Sequence, residues 1–283
     1  MKIMSLYAHP ADHFAEAGGT LAIHAERGDD IVLVTITHGG RIHPVKYRSG
    51  EGSEDTRQAV IDAKKEEMRR AAECIGVKRM INLDYDDNYI GVQNEIVMKL
   101  AEILAEERPD VVITDYPLTA MDADTHTVAS MMFFNAVLQV GLFLDNMDDG
   151  KNIKNKEKKS FSLKQVYMTK VPVFVRDPFC TNGLRNDLYV DITPVVGKKV
   201  KAMDQFASQG YRGDYARKAI ECVDGHHGKI AFVNFAEGFC RYNPETHTHL
   251  PLVEQEFTYG DRGSSHMAYS AIDLRATYPL EED

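Results

Sequence analysis

The sequence predicts an α/β protein with a Rossmann-like, mostly parallel sheet, helices on both faces and a C-terminal extension. Three observations lead to this prediction. Short apolar runs rich in β-branched residues recur along the first half of the chain, amphipathic helical patterns lie between them, and polar residues follow the runs at their carboxyl ends. Strands that are covered on both faces read as continuous apolar runs of this kind.

The first half alternates strands with helices. Strands are predicted at residues 2–8, 31–37, 79–84 and 110–115, and helices at 14–27, 55–76 and 92–107. Parallel strands joined by right-handed crossovers favour the order 3-2-1-4, in which the first and fourth strands are neighbours where the winding reverses. Ligands bind outside the carboxyl ends of such a strand pair.

The second half shows weaker patterns. Strands are expected at 165–168, 171–175 and 187–192, and helices at about 195–207 and 214–222. The tail from Val223 onward has many turn residues and little periodicity, and could cover the site or form an oligomer contact. We expect a single domain over 1–283, in which 1–148 carries the site and 160–283 adds the remaining elements and the extension.

Composition limits the class of partner. The formal net charge of −10 argues against nucleic-acid binding, which needs a basic face. The one basic run, from Lys151 to Lys159, is polar and reads as a solvated loop rather than an anion site. A small diffusible substrate is the better expectation, together with a homo-oligomeric assembly.

No membrane or disulfide framework is expected from the sequence. The chain contains no uninterrupted apolar run of the roughly 18–20 residues that a membrane span needs. The apolar run at the amino terminus is too short for a secretory signal, so a cytoplasmic protein is expected. The four cysteines are widely spaced without a C-x-x-C pair, which predicts reduced thiols and no cysteine-type zinc site.

A histidine and an aspartate follow the first strand on a turn that contains proline. His9 and Asp12 are three residues apart, and the reversal of the chain at Pro10 lets both side chains face one ion. The alternative is that Asp12 only caps the following helix. After the fourth strand, His126 is our preferred third ligand; Asp124 is an alternative by chemistry, and His126 could simply belong to a helix.

Other polar residues at the same sheet edge are candidates for supporting roles. Asp86 or Asp87, after the third strand, and Asp115, at the fourth, could orient a ligand histidine, although strand-end capping is an equal alternative. His13 is a candidate for proton transfer or a surface histidine, and Asp124 is a second candidate for proton transfer. His38 is a candidate substrate contact, although most strand-end histidines have no catalytic role.

The chain resembles the PIG-L/LmbE superfamily of zinc-dependent de-N-acetylases. Ala8-His9-Pro10-Ala11-Asp12-His13 stands where that family has A-H-P-D-D-E, and the segment ending at His126 stands where it has H-P-D-H. Further matches are Glu16-Ala17-Gly18-Gly19-Thr20, His24-Ala25-Glu26-Arg27-Gly28, Thr37-His38-Gly39, Glu67, Ala71-Ala72, Ile75-Gly76 and Leu83-Asp84-Tyr85-Asp86-Asp87. These matches cover roughly the first 130 residues in the order of the family.

The resemblance implies a zinc ion held by His9, Asp12 and His126, with Lys64 or Lys65 where the family often has a substrate-binding arginine. Three positions depart from the family pattern. Ala11 replaces the aspartate taken to be the general base, His13 replaces the following glutamate, and Ala123 replaces a histidine thought to stabilise the transition state. For the lysine pair, an exposed basic surface is the alternative to a substrate contact.

The A-H-x-A-D variant is similar to a branch of 4-oxalomesaconate hydratase type, which adds water to a carbon–carbon double bond. Matches to that branch extend to Asp191-Ile192-Thr193, Lys198-Lys199 and Ala236-Glu237-Gly238. Loss of the base removes a catalytic contribution of about 10²–10⁴-fold from amide hydrolysis, whereas hydration has no amine to protonate. We therefore expect a zinc-dependent hydrolase of an N-acyl bond, with a hydratase as the alternative and a non-catalytic metal-binding protein as a third.

Overall fold

The computed structural model describes residues 1–40, 54–87, 91–117, 125–146, 161–169 and 186–250. The strands are β1 (Lys2–Tyr7), β2 (Asp30–Thr37), β3 (Arg79–Tyr85), β4 (Val111–Asp115), β5 (Gln165–Thr169), β6 (Leu188–Asp191) and β7 (Ala236–Arg241). The helices are α1 (Asp12–Glu26), α2 (Glu54–Cys74), α3 (Asn94–Glu107), α4 (Thr125–Asn146), α5 (Val196–Met203) and α6 (Asp214–Ala231).

The seven strands form one sheet in the order β3-β2-β1-β4-β5-β7-β6. Strands β1 to β5 pair in parallel, while β7 runs antiparallel to both β5 and β6. The predicted α/β fold and the predicted order 3-2-1-4 of the first four strands are therefore confirmed. Because β1 and β4 are neighbours, the turns that follow them leave the sheet at the same edge.

Alternation along the strands divides the core into two layers. On β1, Ile3 and Tyr7 belong to one buried cluster, whereas Met4 and Leu6 belong to the other. Helices α1, α2, α5 and α6 contribute to the first layer, and α3 and α4 contribute to the second. The sheet is thus covered on both faces, as its apolar strands predicted.

The second half differs from the sequence expectation in two places. The helix expected to end at residue 222 continues to Ala231, and strand β7 lies in the tail expected to be irregular. Glycines and histidines obscure the helical pattern after Val223, and tertiary contacts override this weak propensity. The expected strand at 171–175 and the basic run from Lys151 to Lys159 lie outside the described residues.

Helix α4 is apolar both on the side that packs in the core and on the side that is exposed. Its segment Thr125–Leu144 is long and apolar enough to cross a membrane, but core helices of soluble proteins meet the same criterion and half of this segment is buried. Val128 and Phe133 pack in the second core layer, while Met131, Leu138 and Leu142 are exposed.

Candidate metal site

Three potential metal ligands converge at the edge where β1 and β4 end. His9 follows β1, Asp12 begins α1, and His126 lies in the first turn of α4. The Nδ1 atom of His9 is 3.2 Å from the Oδ2 atom of Asp12 and 3.1 Å from the Nε2 atom of His126. The third side of this triangle, from Asp12 Oδ2 to His126 Nε2, is 3.3 Å.

The donor set and its spacing fit a divalent ion. Bonds of about 2.0–2.2 Å place neighbouring ligands of a tetrahedral zinc ion roughly 3.3–3.6 Å apart, close to the distances between these three atoms. Two imidazoles and one carboxylate suit zinc better than magnesium or calcium, which prefer oxygen ligands. His9 is buried, whereas Asp12 and His126 are only partly buried, so the triangle is accessible from one side.

Local structure explains why His9 and Asp12 face each other. The backbone N–H of His9 donates to Asp12 Oδ2 at 3.0 Å, and the N–H of Asp12 donates to the His9 carbonyl at 3.3 Å. Asp12 therefore closes the turn with Oδ2, the same oxygen that forms one corner of the triangle of ligand atoms. The start of α4 is held to the end of β4 in a similar way, since the Ser130 hydroxyl donates to the carbonyl of Asp115 at 2.6 Å.

Asp87 lies behind His9, on the side of the ring opposite the triangle. Its Oδ1 atom is 2.8 Å from the Nε2 atom of His9, and both side chains are buried. Burial raises the pKa of Asp87, but the hydrogen bond and charge of His9 outweigh this and hold the pKa below its usual range. A carboxylate in this position fixes the ring so that the other nitrogen, Nδ1, can bind a metal.

Lys64 is a buried cation next to the same turn. Its Nζ atom donates to the carbonyl of Gly39, and a Cβ built on Gly39 would lie 2.9 Å from that Nζ and 3.6 Å from the Cβ of His9. Burial lowers the pKa of Lys64 to about 8, against the opposing charges of Asp87, Asp12 and Glu67. Lys65, by contrast, is exposed and pairs with Asp84 at 2.8 Å.

The structure also locates His38 and His13. His38 is buried beyond the end of β2, and its Nδ1 atom accepts the N–H of Gly40 at 3.1 Å. His13 is fully buried: its Nδ1 is 2.8 Å from the Ser5 hydroxyl and its Nε2 is 2.9 Å from the Thr35 hydroxyl. With both nitrogens bonded inside the core, His13 holds α1 against β1 and β2, and a role in proton transfer stays a prediction.

The two remaining candidate site residues are Asp115 and Asp124. Asp115 is buried at the end of β4, where its negative charge contributes to raising the pKa of Tyr7, after the larger effect of burial. Its role in orienting a ligand histidine stays a prediction. Asp124, together with the departure at Ala123, lies outside the described residues.

Comparisons with known proteins support the resemblance found in the sequence. Residues 4–137 match the PIG-L family, described as GlcNAc-PI de-N-acetylase. Diacetylchitobiose deacetylase of Thermococcus kodakarensis is 23% identical over 252 residues, which cover 88% of this chain and 85% of the relative. A 4-oxalmesaconate hydratase of Pseudomonas putida is 26% identical over 211 residues, or 74% of each chain.

A solved structure supports the fold. The 4-carboxy-2-hydroxymuconate hydratase from Pseudomonas putida superposes with a TM-score of 0.68 at 23% identity, covering 88% of this chain and 99% of the other. The similar chains include both a deacetylase and a hydratase, as the two sequence alternatives anticipated. The expectations of a PIG-L/LmbE relative and of an enzyme are thereby confirmed.

We expect the chain to purify with about one divalent ion, and His9→Ala or His126→Ala to lose most of it, because each change removes one of three protein ligands. Metal analysis after purification measures the content, and His249→Ala, at an exposed position in the carboxyl-terminal region, is the control. Full metal content in both ligand variants would show that the ligand assignment is wrong.

Asp87→Asn should weaken metal binding by about 10–100-fold without abolishing it, because it removes the carboxylate that orients His9. Competition with a chromophoric chelator measures the affinity. The matched control is Asp84→Asn: Asp84 is close in sequence, exposed and paired with Lys65, and its φ of 57° is one that asparagine adopts readily. Equal loss of affinity in both variants would contradict a specific role for Asp87.

Proposed function

We propose that this chain, whose residues 4–137 match the PIG-L family, is a zinc-dependent hydrolase that cleaves a C–N bond, such as an N-acyl amide, in a small polar or sugar-like substrate. One observation carries the proposal: His9, Asp12 and His126 present three ligand atoms separated by 3.1–3.3 Å. Three protein ligands with an open position are typical of catalytic zinc, whereas structural zinc sites are closed by four.

The residues around the triangle have separable tasks in this proposal. When bound, a zinc ion supplies a water of lowered pKa and polarises a carbonyl oxygen. Asp87 keeps the Nε2 atom of His9 engaged, so that Nδ1 faces the site. Lys64 places a positive charge where it can stabilise negative charge on the substrate or on the oxygen that develops charge during the reaction.

Ala11 leaves its position in the site without a carboxylate that could act as a base in amide hydrolysis. It is buried at the N-cap of α1 with no polar side chain, directly before the ligand Asp12. A carboxylate at this point could take a proton from water and pass it to the leaving amine. Without it, proton transfer falls to another group, and His13 and Asp124 are the candidates that the sequence suggests.

Hydration of a small unsaturated oxo-carboxylate is the second candidate function. It is favoured by Ala11 together with Lys64, because adding water across an activated double bond needs no proton for a leaving amine but does place negative charge on the substrate. A buried ammonium group suits such a carboxylate or enolate. The similarity to a hydratase over 74% of each chain supports this alternative.

The remaining proposals concern assembly and location. A homo-oligomer is supported by the exposed apolar side chains of Met131, Leu138 and Leu142 along α4, because an apolar stripe of this kind is typical of a protein contact. The acidic net charge of −10 supports a small-molecule substrate rather than nucleic acid. A cytoplasmic location stays a prediction from the sequence.

Ala11→Asp should increase hydrolysis of an N-acetylglucosamine derivative by about tenfold or more if hydrolysis is limited by the missing base. Aspartate is also a preferred N-cap residue, so the substitution is compatible with the start of α1. Released acetate is measured at checked metal occupancy, and loss of ultraviolet absorbance is followed in parallel with a conjugated oxo-acid.

Ala11→Asn is the matched control, since asparagine has the same shape and capping ability but cannot act as a base. An increase in Ala11→Asp alone supports the hydrolase. An unchanged amide rate at full metal occupancy, combined with a lowered rate on the unsaturated oxo-acid, would contradict the hydrolase and leave the hydratase as the better account.

Lys64→Met should lower kcat/KM for a carboxylated substrate by about 10–100-fold, the effect of losing one charged hydrogen bond. Lys65→Met is the matched control, because Lys65 is the next residue of α2 but is exposed and paired with Asp84. Steady-state kinetics with each variant provides the comparison. Equal, small effects in both variants would contradict a substrate contact by Lys64.

A further inference from the structure

Helix α1 is broken in its middle. Ala17 has φ −139° and ψ 16°, which lies outside the helical region, although residues on both sides are helical. The break divides α1 into a first part, which begins with Asp12, and a second part, which begins near Gly18. A new helix start presents backbone N–H groups that need acceptors outside the helix.

The side chain of Glu237 supplies those acceptors from the other end of the chain. Its Oε1 atom accepts the N–H of Gly19 at 2.8 Å and its Oε2 atom accepts the N–H of Thr20 at 2.7 Å. Glu237 lies on β7 and is 1% exposed. A carboxylate that binds the first amides of a helix is stabilising, both as a hydrogen-bond acceptor and through the helix dipole.

The charge of Glu237 is balanced by Lys199 of α5. The Nζ atom of Lys199 is 2.8 Å from Glu237 and 2.7 Å from Asp224 of α6, and all three side chains are buried. Burial raises the pKa of Asp224 to about 7, although Lys199 opposes this shift. Asp224 shares the cation with Glu237, but none of its described contacts reaches α1.

Gly19 is the glycine of α1 that this close approach requires, whereas Gly18 has room for a side-chain carbon. A Cβ on Gly19 would lie 2.6 Å from the Cγ2 atom of Ile192, a distance that side chains do not tolerate. A Cβ on Gly18 would lie 3.4 Å from the Cγ atom of Lys199. The second part of α1 is therefore fitted against the carboxyl-terminal half of the molecule at the place where Glu237 binds it.

We propose that Glu237 is a positioning residue for the metal site: by binding the amides of Gly19 and Thr20 it maintains the break in α1 and thereby sets where Asp12 lies. This inference rests on the proposed metal site. His9 follows β1 and His126 lies in α4, so Asp12 is the one of the three ligands that belongs to α1. Without Glu237 the amides would return to carbonyls four residues earlier, which would straighten α1 and move Asp12.

Cobalt(II) binding to the full chain tests the inference, because its visible absorption reports the ligand geometry and its titration reports the affinity. The variants are Glu237→Gln, which places an amide donor against a backbone N–H, and Glu237→Asp, which keeps the charge but shortens the reach to α1. Asp224→Asn is the matched control: it alters the other buried partner of Lys199 and leaves the contacts to α1 intact. Circular dichroism and thermal unfolding identify the variants that fold.

Glu237→Gln is expected to weaken cobalt binding by about tenfold and to change the visible spectrum, because the expected shift of Asp12 has an effect like that of losing a group that orients a ligand. Glu237→Asp should change both in the same direction, and Asp224→Asn should match the wild type even where its melting temperature is lowered. Wild-type affinity and spectrum in every folded Glu237 variant would overturn the positioning role alone. A wild-type chain that binds no cobalt would overturn the proposed metal site and this inference with it.

Discussion

The parallel pairing of β1 with β4 is the constraint on which the site depends. These strands are distant in sequence, yet Ile3, Met4 and Ser5 lie opposite Val111, Val112 and Ile113. Because both chains leave the sheet at the same edge, the turn after β1 meets the start of α4 there. Asp12 then closes that turn, and His126 completes a triangle of ligand atoms with edges of 3.1–3.3 Å.

Around this triangle the site keeps groups for holding an ion but lacks the carboxylate that the resemblance to PIG-L/LmbE proteins led us to expect as a base. Asp87 supports His9 from behind, whereas the position before Asp12 is the apolar Ala11. A buried Lys64 adds positive charge beside the turn. This combination explains why amide hydrolysis and hydration both stay chemically accessible, and why the choice between them depends on proton transfer rather than on metal binding.

Local sequence patterns were sufficient to predict the sheet order and the ligand group. Apolar strands and their polar carboxyl ends led to the sheet order and to the grouping of His9, Asp12 and His126. The burial of Lys64 also has a signal in the sequence, since Ile61, Lys64, Met68 and Ala71 recur at helical spacing on the buried face of α2, although the adjacent Lys65 kept an exposed basic pair open as the alternative. Strand β7 could not be predicted in this way: Glu237 and Gly238 oppose strand propensity, and the burial of Glu237 becomes favourable through the distant partners Lys199, Gly19 and Thr20. The surroundings of His13 could not be predicted either: it lies next to the ligands in sequence, yet its two ring nitrogens bond to Ser5 and Thr35, which belong to strands distant in sequence.

The central claim is that one divalent ion binds to three specified atoms. A crystal structure of the zinc-loaded protein, with anomalous differences measured at the zinc edge, tests it most directly. We predict one strong peak within about 2.3 Å of His9 Nδ1, Asp12 Oδ2 and His126 Nε2, with His9 Nε2 still bonded to Asp87. A peak at another set of ligands, or no peak at this edge of the sheet at full zinc content, would contradict the account.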